Sequence, residues 1–417
     1  MVLGAFALAV VLQAAPALLS GDPARVSLEA AEVRLADQPG AVEQVWAELT
    51  GEGVPRIETI AGDSEHRRVT FLYKSAAAVS EVRLNSVINA PRVRMPVEDF
   101  IADYTLPLQR LAGSPIWALS LDVPRDVQAS YSFMVTGPNG MERLSDPRNR
   151  VRLRGGAAEA VLVMDRVEDL SPLAPVDPAS LPAPAVRQLD SAALERSVTV
   201  EIHPGAGAGP DAPVLILYDA FNWGVRAPAW EIVHNLAAAG QIPPMHVVLI
   251  DQLDEASELD RYDGQTRFVV DELLPWLRAE YGYRLDRGNV VLGGASRRGL
   301  AAVIIALARP EAVGAAISLS GSFYWAPQAE DPEWLARQLG APGDTLPQFQ
   351  LAAGSLEYIE TSTNTGHVML HANENMAAAL AAAGYPVRYS VYPGGHDIAA
   401  WRMALANRLR DLFARAD

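Results

Sequence analysis

Val290-Val291-Leu292-Gly293-Gly294-Ala295-Ser296-Arg297-Arg298-Gly299-Leu300-Ala301-Ala302-Val303-Ile304-Ile305 reads as a buried strand, a sharp turn and a helix. A short apolar run that ends in glycines fits a strand covered on both faces. A serine on such a turn is a nucleophile elbow: the strained backbone lifts Oγ above the sheet edge. Small residues before it let strand and helix cross closely. The N–H that follows, on Arg297, then faces the reacting group at the positive end of the helix. The usual spacing is Gly-x-Ser-x-Gly; here Arg298 takes the last position and glycine follows one place later. Over this stretch alone, a serine that merely caps a helix would look the same.

The same grammar extends in both directions. Short apolar runs at 213–218, 245–250, 315–319, 349–353 and 387–392 predict strands, and 195–202 an early one. Helical patterns at 229–239, 266–281, 298–308 and 370–383 lie between them. Apolar strands alternating with helices imply an α/β fold with a parallel sheet covered on both faces. Upstream the pattern differs: 26–165 is short and strand-like, with runs at 68–73, 79–87, 115–121 and 129–135. Turn residues such as Gly137-Pro138-Asn139-Gly140 separate the runs, which suggests a smaller antiparallel β-sandwich. Five prolines within 171–184 read as an extended linker. The expected division is therefore a β-sandwich over 26–165, a Pro-rich linker over 171–185 and a catalytic domain over 190–417.

The chain has 417 residues, with 34 Lys and Arg against 50 Asp and Glu and a formal charge of −16. No basic excess exists to neutralise phosphates, which argues against nucleic acid or an anionic membrane as the main partner. Cysteine is absent, excluding disulfides, thiolate nucleophiles and cysteine-ligated metals. An apolar run from Val2 to Leu19 is too short and interrupted for stable membrane insertion. With Ala15-Pro16-Ala17 behind it, 1–17 fits a secretory signal, although no basic residue precedes it. The expected location is periplasmic or secreted, with the cytoplasm as the alternative.

Seven histidines make the search for a general base short. His396 follows the strand at 387–392 in Tyr392-Pro393-Gly394-Gly395-His396-Asp397, and the order serine, acid, histidine suits this fold. The acid should follow the strand at 349–353. Glu357 stands there, Glu360 competes, and Asp397 is a weaker rival because it neighbours the base. His367, His371 and Glu374 share helical spacing, but such spacing arises readily by coincidence, and no metal or organic cofactor is expected.

Further marks make the resemblance specific. These are Leu217-Tyr218-Asp219-Ala220-Phe221-Asn222-Trp223, Ile250-Asp251, Ser320-Gly321-Ser322-Phe323-Tyr324-Trp325, Gly354 to Glu357, and Gly394-Gly395-His396-Asp397 with Trp401-Arg402. Together with the elbow they resemble the enterochelin esterases, α/β-hydrolases that open catecholate siderophore trilactones. The resemblance is strongest from about 214 to the C-terminus. It implies an N-terminal Ig-like β-sandwich, ended by a segment like Asp146-Pro147-Arg148-Asn149. It also implies Ser296 as nucleophile, His396 as base and Glu357 as acid. The N–H groups of Ala220 and Arg297 would form the oxyanion hole. Trp223, Trp325, Arg298 and Arg402 would be placed to bind substrate, the arginines serving an anionic ferric chelate. Arg298 could instead lie solvated along the helix surface. The alternatives are a carbohydrate esterase for acetyl or feruloyl groups, and a non-catalytic binding protein on this scaffold.

Overall fold

The computed structural model describes residues 27–414, apart from 52, 76–77, 93–103, 156–158, 168, 252–261, 328–329, 358–359 and 362–363. At 91–92, 360–361 and 364–368 it describes the backbone only. The apolar run before residue 27 therefore lies outside the described residues. Among those described, no helix is long and apolar enough to cross a membrane.

The described residues open on two helices, α1 (Leu28–Asp37) and α2 (Val42–Thr50), in a region whose sequence pattern reads as strand-like. Ser27 caps α1, its hydroxyl accepting the Ala30 N–H at 3.1 Å. Ala31 with Leu35, and Val45 with Leu49, put one stripe of each helix inside. That stripe packs on Leu72, Ile116 and Ala118. Burial at i and i+4 overrides the short, broken look of this stretch.

Among the described residues nine strands follow: β1 (Arg56–Ile60), β2 (Asp63–Lys74), β3 (Glu81–Asn85), β4 (Thr105–Pro107), β5 (Gln109–Arg110), β6 (Ile116–Pro124), β7 (Gln128–Gly137), β8 (Gly140–Leu144) and β9 (Ala160–Val163). They form antiparallel sheets in the orders β1-β2-β6-β5 and β4-β3-β7-β8, and β9 pairs with β7. Inward residues of both sheets, among them Val69, Phe71, Leu121, Leu84 and Phe133, share one core. Phe71 meets Tyr131 edge to face at 5.0 Å inside it. The proline-rich segment is anchored rather than free: Asn235 Nδ2 donates to the carbonyls of Pro172 and Ala174.

The second half alternates strands and helices, in the α/β class expected. Its strands are β10 (Ala185–Ser191), β11 (Arg196–His203), β12 (Val214–Tyr218), β13 (His246–Ile250), β14 (Val290–Ala295), β15 (Ala315–Leu319), β16 (Gln348–Gly354), the short hairpin β17 (Glu360–Thr361) and β18 (Asn364–Val368), and β19 (Val387–Tyr392). Eight of them build one sheet in the order β10-β11-β13-β12-β14-β15-β16-β19. From β13 to β19 every neighbouring pair is parallel, while β10 and β11 are antiparallel additions at one edge. Helices α3 (Ala229–Ala238) and α9 (Ile398–Phe413) join the core on one face. Helices α4 (Tyr262–Arg267), α5 (Leu274–Tyr281), α6 (Arg297–Ala308) and α8 (Met369–Ala383) join the core on the other, with the short α7 (Trp334–Gln338). Continuous apolar strands result because both faces are covered. The carboxyl ends of β12, β14, β15, β16 and β19 all open on the same edge, where an open α/β sheet binds its ligands.

His246, at the start of β13, illustrates how burial sets a pH response. Its Nδ1 accepts the Gly205 N–H at 3.2 Å, Nε2 faces the Gly209 carbonyl at 3.1 Å, and the ring stacks on Tyr283. A ring that accepts at Nδ1 must be neutral. Burial holds its pKa below the ordinary 6.5. The unfolded chain therefore takes up a proton that the folded one refuses. Stability should fall as pH drops below about 6.5 and onward through the lower folded value. A His246→Gln variant should show a flatter Tm between pH 7.5 and 5 than wild type; an unchanged slope would place the effect elsewhere.

Candidate active site

Ser296 stands between β14 and α6 with φ 57° and ψ −127°, a conformation few side-chain-bearing residues adopt. Asp219 after β12 (φ 72°) and Ser320 after β15 (φ 51°) are also left-handed, so positive-φ residues cluster at one sheet edge. The elbow closes despite Arg298. A Cβ on Gly294 would come within 2.6 Å of the Arg298 Cβ, and one on Gly299 within 2.5 Å of Ser318 Oγ. Gly294 thus makes room for the arginine, and the close approach of helix to sheet falls to Gly299, one residue late.

Arg298 is not solvated. It is buried, and its charge opposes the rise that burial imposes on the Tyr218 phenol. It therefore runs into the molecule beside β12 rather than along the helix surface. Arg297 is half-buried, and its charge opposes the rise that burial imposes on the Tyr324 phenol. Its N–H, first in α6, is one that no helical carbonyl can accept.

The loop after β15 packs against the serine. Ser296 N–H donates to Leu319 O at 2.9 Å, and Ser322 N–H donates to Ser296 O at 3.1 Å. Ser322 Oγ lies 3.3 Å from Ser296 Oγ and is fully buried. Asn373 of α8 fixes this loop through both the N–H and the carbonyl of Gly321. Trp325 N–H donates to Ser322 O, and its ring meets Tyr262 and Trp334 edge to face. The expected binding residue Trp325 thus belongs to an aromatic wall that begins three residues from Ser322.

Glu357 follows β16 and is completely buried. Its Oε1 accepts from the Tyr392 hydroxyl at 2.8 Å and from the Ser320 hydroxyl, and it stands 3.8 Å from His396 Nδ1. That last separation is an ion-pair distance, longer than a hydrogen bond. Glu357 Oε2 has no hydrogen bond among the described residues. A small shift of either group would bring carboxylate and imidazole into contact. Trp401 stacks its edge on His396 at 4.8 Å, while its Nε1 donates to Ser320 Oγ. Burial, and then the Glu357 charge, push the Tyr392 phenol well up, so it stays a donor. The side chain of Glu360 lies outside the described residues. Ser320, Ser322 and Tyr392 lie in stretches that the sequence singles out, but their hydroxyls, and the amide of Asn373, are assembled only by the fold.

Asp397 has another task. It caps α9 by accepting the Ala399 N–H at 3.0 Å, and it accepts from the N–H and hydroxyl of Ser130 on β7. Next to it, a Cβ on Gly395 would stand 2.9 Å from Val87 Cβ, and Leu356 is part of the core of the antiparallel sheets. The His396 loop is thus clamped from the N-terminal sheets. Replacing Asp397 by Ala removes a cap and charge-assisted bonds, which should cost roughly 2–4 kcal/mol of stability. Denaturant titration checks this; a loss under about 0.5 kcal/mol, the scale of an ordinary surface change, would contradict the clamp.

Two expected binding residues lie elsewhere. Trp223 is 1% exposed and packs in the core under α3 and α9, because the helical turn Phe221–Arg226 directs it inward. Arg402 points to β7, its Nε donating to Gln128 Oε1 at 3.1 Å, and it lines a cavity that does not include Ser296, His396 or Glu357. Ala220 sits at the end of β12, preceded by the left-handed Asp219, whose carboxylate accepts from the N–H and Nδ2 of Asn222. Among the described residues no cluster of three metal-ligating side chains occurs; His371 is exposed on α8, and the side chain of His367 lies outside them.

Comparison with known proteins adds the wider context. The iron(III) salmochelin esterase of Escherichia coli O6:H1 is 27% identical over 397 residues, covering 86% of this chain and 91% of that protein. The iron(III) enterobactin esterase of E. coli K12 is 27% identical over 343 residues, covering 73% of this chain and 81% of its own. A crystal structure of the enterobactin esterase of Shigella flexneri, in the presence of enterobactin, superposes with a TM-score of 0.72. It is 24% identical and covers 89% of this chain and 97% of that one, which shows a shared fold. The Esterase family model matches residues 191–412, more than half of the chain and the whole stretch that carries Ser296, Glu357 and His396, so this protein belongs to the Esterase family of carboxylic-ester hydrolases.

Proposed function

We propose that the protein hydrolyses the lactone esters of a ferric catecholate siderophore of the enterobactin and salmochelin class. The observation that carries the reading is similarity to esterases of those substrates along most of both chains. Ser296 Oγ attacks an ester carbonyl while His396 takes its proton, and Glu357 steadies the imidazolium. The N–H groups of Ala220 and Arg297 stabilise the oxyanion. The alkoxide leaves with the proton from His396, and the acyl-enzyme is hydrolysed by water that His396 activates. Aromatic side chains at Tyr262, Trp325 and Tyr324 suit the faces of catechol rings.

The antiparallel sheets are read as an Ig-like β-sandwich domain over 26–165, joined through the linker 171–185 to the catalytic domain from 190 onward. Their grip on the His396 loop supports a role for the first domain in holding the base. Export through the signal-like stretch 1–17 is part of the same proposal, and N-terminal sequencing of the mature protein tests it: a start near Leu18 supports export, an intact Met1 refutes it.

A hydrolysis panel tests the substrate. Ferric and iron-free enterobactin should be opened with kcat/KM well above that for acetylated or feruloylated sugars. Preference for the sugars would move the assignment to the carbohydrate esterases.

A further inference from the structure

Between the antiparallel sheets and the α/β half lies a cavity of about 810 Å³, within the usual range for small-molecule sites. It is lined by Arg148, Arg150, Arg152, Arg154, Arg226 and Arg402, and by one carboxylate among the described residues, Glu231. The protein as a whole carries a charge of −16, so six arginines on one cavity run against its composition.

The arginines come from three separate places in the fold. Four recur at every second residue of the segment 148–154, which passes from a turn at Arg148 to a bend at Arg154. Arg226 ends the helical turn after β12, and Arg402 sits on α9. Two are neutralised: Arg154 by Glu231 at 2.8 Å, and Arg226 by Glu159. The other four make no ion pair among the described residues. Arg152 is held by the carbonyls of Asn149 and Asp146, and its charge acts on the buried Asp146 carboxylate without forming an ion pair. Arg148 lies over the Trp46 ring at 5.8 Å. Arg402 uses Nε on Gln128 and Ala399 O, and Arg150 makes no hydrogen bond among the described residues. Burial, opposed by Asp397 and reinforced by the charge of Arg154, pushes the Arg402 guanidinium down to about 10. Asp397 itself is occupied by Ser130 and Ala399. Arg148, Arg150, Arg152 and Arg154 are exposed, so solvent screens their mutual repulsion, and an anion among them would relieve what remains.

We propose that this interdomain cavity binds a polyvalent oxyanion of small-molecule size, distinct from the ester bound at Ser296. Guanidinium forks suit phosphate and carboxylate oxygens, and six of them offer more donors than one tetrahedral anion can accept. The occupant would touch both halves of the molecule, next to the helix that follows His396. The proposal is independent of which ester the enzyme hydrolyses.

Calorimetric titration of the full chain with inorganic triphosphate, and separately with citrate, tests it. One or both should bind at a ratio of one to one, and which of them does distinguishes a phosphate from a carboxylate ligand. Arg150→Glu should weaken that binding at least tenfold while leaving hydrolysis of a neutral short-chain ester unchanged. Arg68→Glu, on β2 and away from the cavity, should leave the binding as it is. Absence of binding by both probes at millimolar concentration would overturn the proposal. So would an equal loss in both variants, or binding that Arg150→Glu does not alter.

Discussion

Replacing Ser296 by alanine lowers kcat/KM for the siderophore ester by on the order of 10³ or more, and His396→Ala does the same. Both residues serve one proton-transfer and attack sequence, so removing either disables the other. The double variant should therefore be little worse than either single one, not the product of the two losses. Steady-state rates for the three variants check this. Near wild-type turnover in Ser296→Ala would end the assignment of this serine, and a multiplicative double variant would separate the two roles.

The second large effect concerns Glu357. Glu357→Gln should cost less than Ser296→Ala, on the order of 10²-fold in kcat, because a neutral amide no longer stabilises the imidazolium. The Ser320 and Tyr392 hydroxyls already donate to the position that the amide would occupy. An amide set with its NH₂ toward those donors would lose them, so some stability should go as well. Glu360→Gln is the comparison. A greater loss in Glu360→Gln than in Glu357→Gln would place the acid on the hairpin after β16.

What could be read from the residues follows the range of the interactions involved. The elbow is local: strand, turn and helix lie within sixteen consecutive residues, and their pattern places Ser296 without any tertiary information. His396 and Glu357 follow from counting strands, since parallel strands bring their carboxyl ends to one edge. The Ser320, Tyr392 and Glu357 network joins positions 37 and 72 residues apart, and nothing in their spacing announces it. Asp397 looks like a companion of His396 until its partner, Ser130, is seen 267 residues away. Trp223 and Arg298 were legible as residues near the chemistry but not as inward-facing ones. Direction there depends on a helical turn after β12 and on a glycine displaced to 299. The opening helices escaped because two buried apolar residues per helix, four apart, are a faint signal until β2 and β6 supply the surface they cover.

The most direct test of the central claim is to label the intact protein with a fluorophosphonate and map the adduct by peptide mass spectrometry. The account predicts a single modified residue, Ser296, with siderophore hydrolysis lost in proportion to labelling and labelling abolished in Ser296→Ala. An adduct on another serine, or undiminished hydrolysis after Ser296 is fully modified, would contradict it.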